Sequence, residues 1–116
     1  MDAKHMLATV DKYVEAVSTD NIELIKEIYA DNATVEDPVG SPPHEGIEAI
    51  VAFYSRIHGV GVKLELTGNP RCAANTVAFP FTATTQGRAL EIIDVFEFND
   101  DGKVTSMKAY WSVPQA

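Results

Sequence analysis

The chain has 116 residues, 46% of them apolar and 22% charged, with a formal net charge of −8. That size suits one domain, 1–116, with a real hydrophobic core. The acidity counts against nucleic-acid binding and against docking on anionic lipid, since both need a basic footprint.

The predicted elements begin with helices. Met6, Val10, Tyr13, Val14 and Val17 recur at helical spacing and predict a helix over about Ala3 to Ser18. Thr19-Asp20 breaks it. Asp20 is placed to cap a second helix, with Glu23 completing a capping box and Ile22, Ile25, Ile28 and Tyr29 inward. Ala33 to Glu36 reads as a short strand that stops at Asp37-Pro38, because proline restricts the residue before it and cannot donate to a ladder. Pro38 to Gly46 reads as loop. A third helix runs about Ile47 to His58, with Ile47, Ile50, Val51, Tyr54 and Ile57 on its apolar face.

The second half reads as strands. Val62, Leu64 and Leu66 alternate with polar residues, and a strand near Arg71 to Ala74 turns at Asn75 into Val77 to Thr85. Gln86-Gly87 is a hairpin turn into Leu90 to Phe98, and Asn99 to Gly102 turns again into Lys103 to Trp111. Helices followed by an antiparallel meander predict an α+β fold, a curved antiparallel sheet wrapped over three helices. Helices cover one face of such a sheet, so the other face is expected to be covered in a homodimer.

The strand around Asp94 carries the most informative pattern. Leu90, Ile92, Asp94, Phe96 and Phe98 share one face, while Glu91 and Glu97 lie on the other. Asp94 is the one ionisable group on an apolar face. A buried carboxylate without a partner is expensive and escapes by staying protonated. Neutral, it donates a hydrogen bond that the ionised form cannot. Asp37 shares a strand face with Ala33 and Val35. It either opens an Asp-Pro turn or acts as a general base at a pocket mouth. Tyr13, Tyr29 and Tyr54 are either core tyrosines or a converging hydroxyl network.

Other chemistries find no support in the pattern. His5, His44 and His58 lack metal-ligand spacing, and His44 and His58 fall at loop-like positions. Asp100-Asp101-Gly102 lacks the remaining ligands of a calcium loop, and Gly59-Val60-Gly61 is no phosphate loop. The single Cys72 fits a reducing compartment. No apolar run reaches signal-peptide length at the N-terminus or the ~20 residues of a membrane span. A cytoplasmic location is therefore expected.

The segment Tyr29 to Gly40 (YADNATVEDPVG) resembles the surroundings of the catalytic base in bacterial Δ5-3-ketosteroid isomerases. Lys12-Tyr13-Val14, Ala52-Phe53-Tyr54, Ile93-Asp94-Val95 and Met107 to Trp111 match in order and spacing. The resemblance runs from the first helix to Trp111. It implies the cone-shaped fold shared with nuclear transport factor 2, a homodimer, a steroid substrate, and no cofactor or metal. By that resemblance Asp37 is the base, Tyr13 and Asp94 donate to the dienolate oxygen, and Tyr54 and Tyr29 support Tyr13. A protonated aspartic acid among the oxyanion donors is a known device of these isomerases. Pattern places Val17, Val39, Phe53, Phe81, Met107 and Trp111 in the pocket wall. The segment Ile57 to Lys63 is individual in sequence and is expected to shape the pocket rim. Two other readings remain: a polyketide cyclase or epoxide hydrolase of the same fold, and a non-catalytic binding module. Epoxide opening would want a buried arginine between two acids, whereas Arg56, Arg71 and Arg88 fall at surface positions.

Overall fold

The computed structural model describes residues 1–112. Its three helices are α1 (Ala3–Ser18), α2 (Ile22–Ile28) and α3 (Ile47–His58). α1 is capped by the Asp2 side chain, which accepts from the Lys4 amide at 2.9 Å. Met6, Val10, Tyr13 and Val17 form its buried stripe, as their spacing requires. The cap of α2 is Asn21, not Asp20: the Asn21 side chain accepts from the Leu24 amide. Asp20 instead takes a left-handed conformation, φ 55°, as the chain leaves α1. This shift of one residue moves Glu23 out of capping-box position, since the box needs its acid three residues after the cap.

The seven strands are β1 (Tyr29–Glu36), β2 (His44–Glu45), β3 (Lys63–Leu66), β4 (Arg71–Ala73), β5 (Thr76–Thr85), β6 (Arg88–Phe98) and β7 (Val104–Tyr110). β1 begins at Tyr29, so Tyr29 belongs to the sheet and not to the end of a helix. His44 lies in β2 and His58 is the last residue of α3, so neither is in a loop.

The sheet runs β2-β1-β7-β6-β5-β3, with β4 also on β5. It is mixed, not antiparallel throughout. β1 pairs with β7 in parallel, Val35 beside Met107, and every other pairing is antiparallel. A meander cannot produce that contact. It arises because the chain passes through α3 and five strands before β7 returns beside β1. β3 and β4 share one edge of β5, and Pro80 falls between the two stretches they cover, where no ladder amide is needed. The β5–β6 hairpin turns through Gln86 and Gly87 with φ of 51° and 78°. Positive φ at both positions marks a turn whose twist matches its strands.

The concave face of the sheet packs on the helices. Val35, Val77, Phe79, Phe96, Val104 and Met107 are fully buried there with Met6, Val10, Ile25 and Ile50. The opposite face keeps Ile93 and Tyr110, cross-strand partners, exposed at 49% and 48%. No helix among the described residues is long and apolar enough to cross a membrane.

Candidate active site

A cavity of about 280 Å³ opens between the helices and the sheet. Small-molecule sites are typically concave and mostly apolar, with a few converging polar groups. Here those groups are Tyr13, Tyr54, Asp37 and Asp94. The apolar wall includes Val17, Phe53, Ile57, Val62, Leu64, Phe81, Ala83, Leu90, Ile92 and Trp111.

Asp94 reaches the cavity because β6 alternates. Phe96 and Phe98 on the same face close the core, and Leu90 and Ile92 continue the cavity wall toward the hairpin. Asp94 is 1% exposed, and neither carboxyl oxygen has a hydrogen-bond partner among the described residues. Burial, and then the negative charge of Asp37, hold its carboxyl well above the usual carboxylate range, with the nearby Tyr13 hydroxyl opposing them. Burial is the leading cause because a carboxylate gives up its hydration here and gains little in return. That direction favours the protonated carboxyl, which has an O–H to donate.

Tyr13, Tyr54 and Tyr29 form a buried hydroxyl chain. Tyr29 and Tyr54 share a hydrogen bond at 2.7 Å, and Tyr54 and Tyr13 share one at 3.0 Å. Burial pushes all three phenols well above their ordinary value. Each hydroxyl has one proton. With Tyr29 donating to Tyr54 and Tyr54 to Tyr13, the Tyr13 proton is free for the cavity. The rings pack edge-on around Phe96, whose centroid lies 5.1 Å from that of Tyr13 and 6.2 Å from that of Tyr29. That packing fixes where the Tyr13 hydroxyl points.

Asp37 follows the end of β1 and is joined to Pro38 by a cis peptide bond. Its Oδ1 accepts from the indole Nε1 of Trp111 at 2.7 Å. The parallel pairing makes this contact, because β1 and β7 end side by side. Burial raises the Asp37 carboxyl from its ordinary value, while the Trp111 hydrogen bond and His44 lower it. Asp37 is only partly buried, so of the two acids it is the one suited to carry charge.

The structure thus gathers Tyr13, Asp37, Tyr54, Asp94, Val17, Phe53, Phe81 and Trp111 at one cavity, with Tyr29 behind Tyr54. Two expected wall residues lie elsewhere. Met107 is fully buried in the core, because its β7 position faces the helices. Val39 is exposed on a shallower depression of about 700 Å³ on the outer sheet face, with Pro38, Ile93 and Tyr110. That depression is larger but holds neither buried acid. Ile57 and Val62, from the segment expected at the pocket rim, join the wall, and so do Leu64, Ala83, Thr85, Leu90 and Ile92, which were not singled out as site residues. Strand alternation carried the signal for Leu64, Leu90 and Ile92. Arg56, Arg71 and Arg88 are all exposed, so no arginine lies between the two acids. Among the described residues no three His, Cys, Asp or Glu side chains group to hold a metal ion.

The SnoaL-like domain family matches residues 10–107, which include the whole hydroxyl chain and both acids. The chain belongs to this family. The SnoaL-like chain is 40% identical over 109 residues to a steroid Delta-isomerase of Nocardioides simplex, covering 90% of this chain and 88% of that protein. Its fold superimposes on SalBIII, an epoxide hydrolase/cyclase-like enzyme with a role in pyran ring formation in the polyether salinomycin. That match has a TM-score of 0.86 and 26% identity, covering 96% of this chain and 92% of the other.

Proposed function

We propose that the protein is a steroid Δ-isomerase, moving the double bond of a Δ5-3-ketosteroid to the Δ4 position by intramolecular proton transfer. The observation that carries this reading is the buried, unpartnered carboxyl of Asp94, in one cavity with the end of the tyrosine chain and the partly buried Asp37. A proton beside a ketone is weakly acidic, so its removal needs stabilisation of the charge that develops on oxygen. Tyr13 and Asp94 donate to that oxygen at C3. The Asp37 carboxylate takes the proton from C4, electrons flow to the C3 oxygen, and a dienolate forms. Collapse of the dienolate returns the same proton from Asp37 to C6, leaving the conjugated enone and a regenerated carboxylate. The apolar wall suits a steroid skeleton and keeps water from competing for the donors.

The alternative of epoxide opening lacks its cation, since the arginines are at the surface. The same proposal includes a homodimer through the outer sheet face, supported by exposed Ile93 and Tyr110. It includes a cytoplasmic location, supported by the free Cys72. No cofactor enters the mechanism.

The test is to mix the protein with 5-androstene-3,17-dione and follow conjugated-enone absorbance. The expected result is a rise that saturates with substrate. A trace indistinguishable from buffer would sink the isomerase reading.

A further inference from the structure

We propose that His44 is a positioning residue for Asp37: its ring, stacked on Phe53 and on the same side of the sheet as Asp37, favours the ionised form of that carboxyl. The kinetic side of this inference rests on the isomerase reading; the electrostatic side does not.

The geometry begins with β2, two residues long but fixed in register. His44 is the partner of Val35 on β1. Cross-strand partners point to the same face of a sheet, and Asp37 follows Val35 by two residues, again on that face. His44 and Asp37 therefore share a side of the sheet. From α3, Phe53 meets the imidazole with ring centroids 4.4 Å apart and planes at 29°. A cationic ring over an aromatic face is attractive. Phe53 also lines the cavity and meets Tyr54 edge-on. The imidazole is thus gripped between the sheet and the cavity wall, a defined place for a charge.

The base needs one. Burial works against its ionisation, and the Trp111 indole supplies a single hydrogen bond. The other ionisable groups that the charge of Asp37 reaches are Asp94 from β6, Tyr13 from α1 and Tyr29 from β1, with Tyr54 of α3 behind them. These are acids, neutral or negative. His44 is the one basic side chain acting on Asp37 among the described residues. Its action is through space, because the hydrogen bond to Asp37 comes from Trp111.

His44→Phe keeps an aromatic ring on Phe53 and removes the charge. Two measurements on this variant and the parent protein test the proposal. One is the titration midpoint of the Asp37 carboxyl, read by carbon-13 NMR. The other is the acid limb of kcat/KM on 5-androstene-3,17-dione. Both are expected to move upward by about half to one pH unit, so that the parent-to-variant ratio of kcat/KM grows roughly three- to tenfold from pH 8 to pH 5. An unchanged Asp37 midpoint in a folded variant overturns the proposal. If His44→Phe fails to fold, His44→Gln serves the same comparison. A midpoint that moves in a protein without isomerase activity sinks the isomerase reading and leaves the His44–Asp37 coupling standing.

Discussion

Asp37 and Asp94 face one cavity with unequal provision: Asp37 accepts from an indole at 2.7 Å, and neither oxygen of Asp94 has a partner among the described residues. Two carboxyls whose surroundings separate their protonation in this way mark out acid and base roles. On the proposed mechanism, the acid that keeps its proton is the donor and the acid that gives it up is the base.

Asp37→Asn removes the base and leaves the cavity shape. Turnover is expected to fall on the order of 10²–10⁴-fold, the usual worth of a positioned base. Binding of a planar steroid phenol, followed by fluorescence, is expected to persist. Loss of binding together with turnover would argue that Asp37 shapes the pocket instead.

Asp94→Asn and Asp94→Ala separate donation from space filling. The amide still donates a hydrogen bond, so Asn is expected to retain more kcat than Ala. Ala is expected to lose roughly 10²–10³-fold, the cost of one oxyanion donor. Equal losses in the two variants would contradict donation by Asp94.

Asp94 also ties stability to pH. Its folded carboxyl holds a proton far more tightly than the unfolded one, with burial the main cause. Above the unfolded value of about 3.9, the folded state binds the extra proton, so stability falls as pH rises until the folded value is passed. Asn cannot ionise. The stability of Asp94→Asn relative to the parent is therefore expected to improve with pH, by about 1.4 kcal/mol per unit across that window. Urea unfolding at pH 5 and pH 7 reads the slope. A difference that stays constant with pH would show that Asp94 is not protonated in the folded protein.

Tyr54→Phe cuts the hydroxyl chain in the middle. Tyr13 loses its neighbour and Tyr29 loses a buried partner, at a cost of about 1–3 kcal/mol in stability. The kcat loss is expected to be smaller than that of Tyr13→Phe, because Tyr13 still reaches the substrate. Steady-state kinetics on both variants decides the order; a larger loss at Tyr54 would make it the direct donor.

Ile93→Asp places a charge in the middle of the outer face. If two copies bury that face, sedimentation is expected to show the parent as a dimer and the variant as a monomer. A parent that sediments as a monomer at micromolar concentration would remove the dimer from the proposal.

Much of this architecture was legible from spacing. Hydrophobic periodicity placed α1 and α3 correctly because both bury one stripe, and alternation put Asp94 on its apolar face. The parallel β1–β7 contact was not legible, since local pattern says nothing about which distant strands meet. Met107 and Val39 were assigned to the wall for the same reason. Whether an apolar side chain faces core, cavity or outer surface depends on the curvature of the sheet and the path of the loop. His44 was read as a loop residue because a position inside a Pro-rich stretch looks like loop until Phe53 is seen beneath it. The Asp20-for-Asn21 exchange at the α2 cap reflects two adjacent residues with equivalent capping chemistry.

The parallel contact also has a consequence in time. Asp37 lies in the first third of the chain and its indole donor at Trp111, and they meet through β7. A nascent or refolding chain could already hold its helices, its tyrosine chain and the Asp94 hairpin while Asp37 still lacked its donor. Competence for proton transfer is therefore expected to be a late acquisition, arriving with the docking of β7 and not with the collapse of the core.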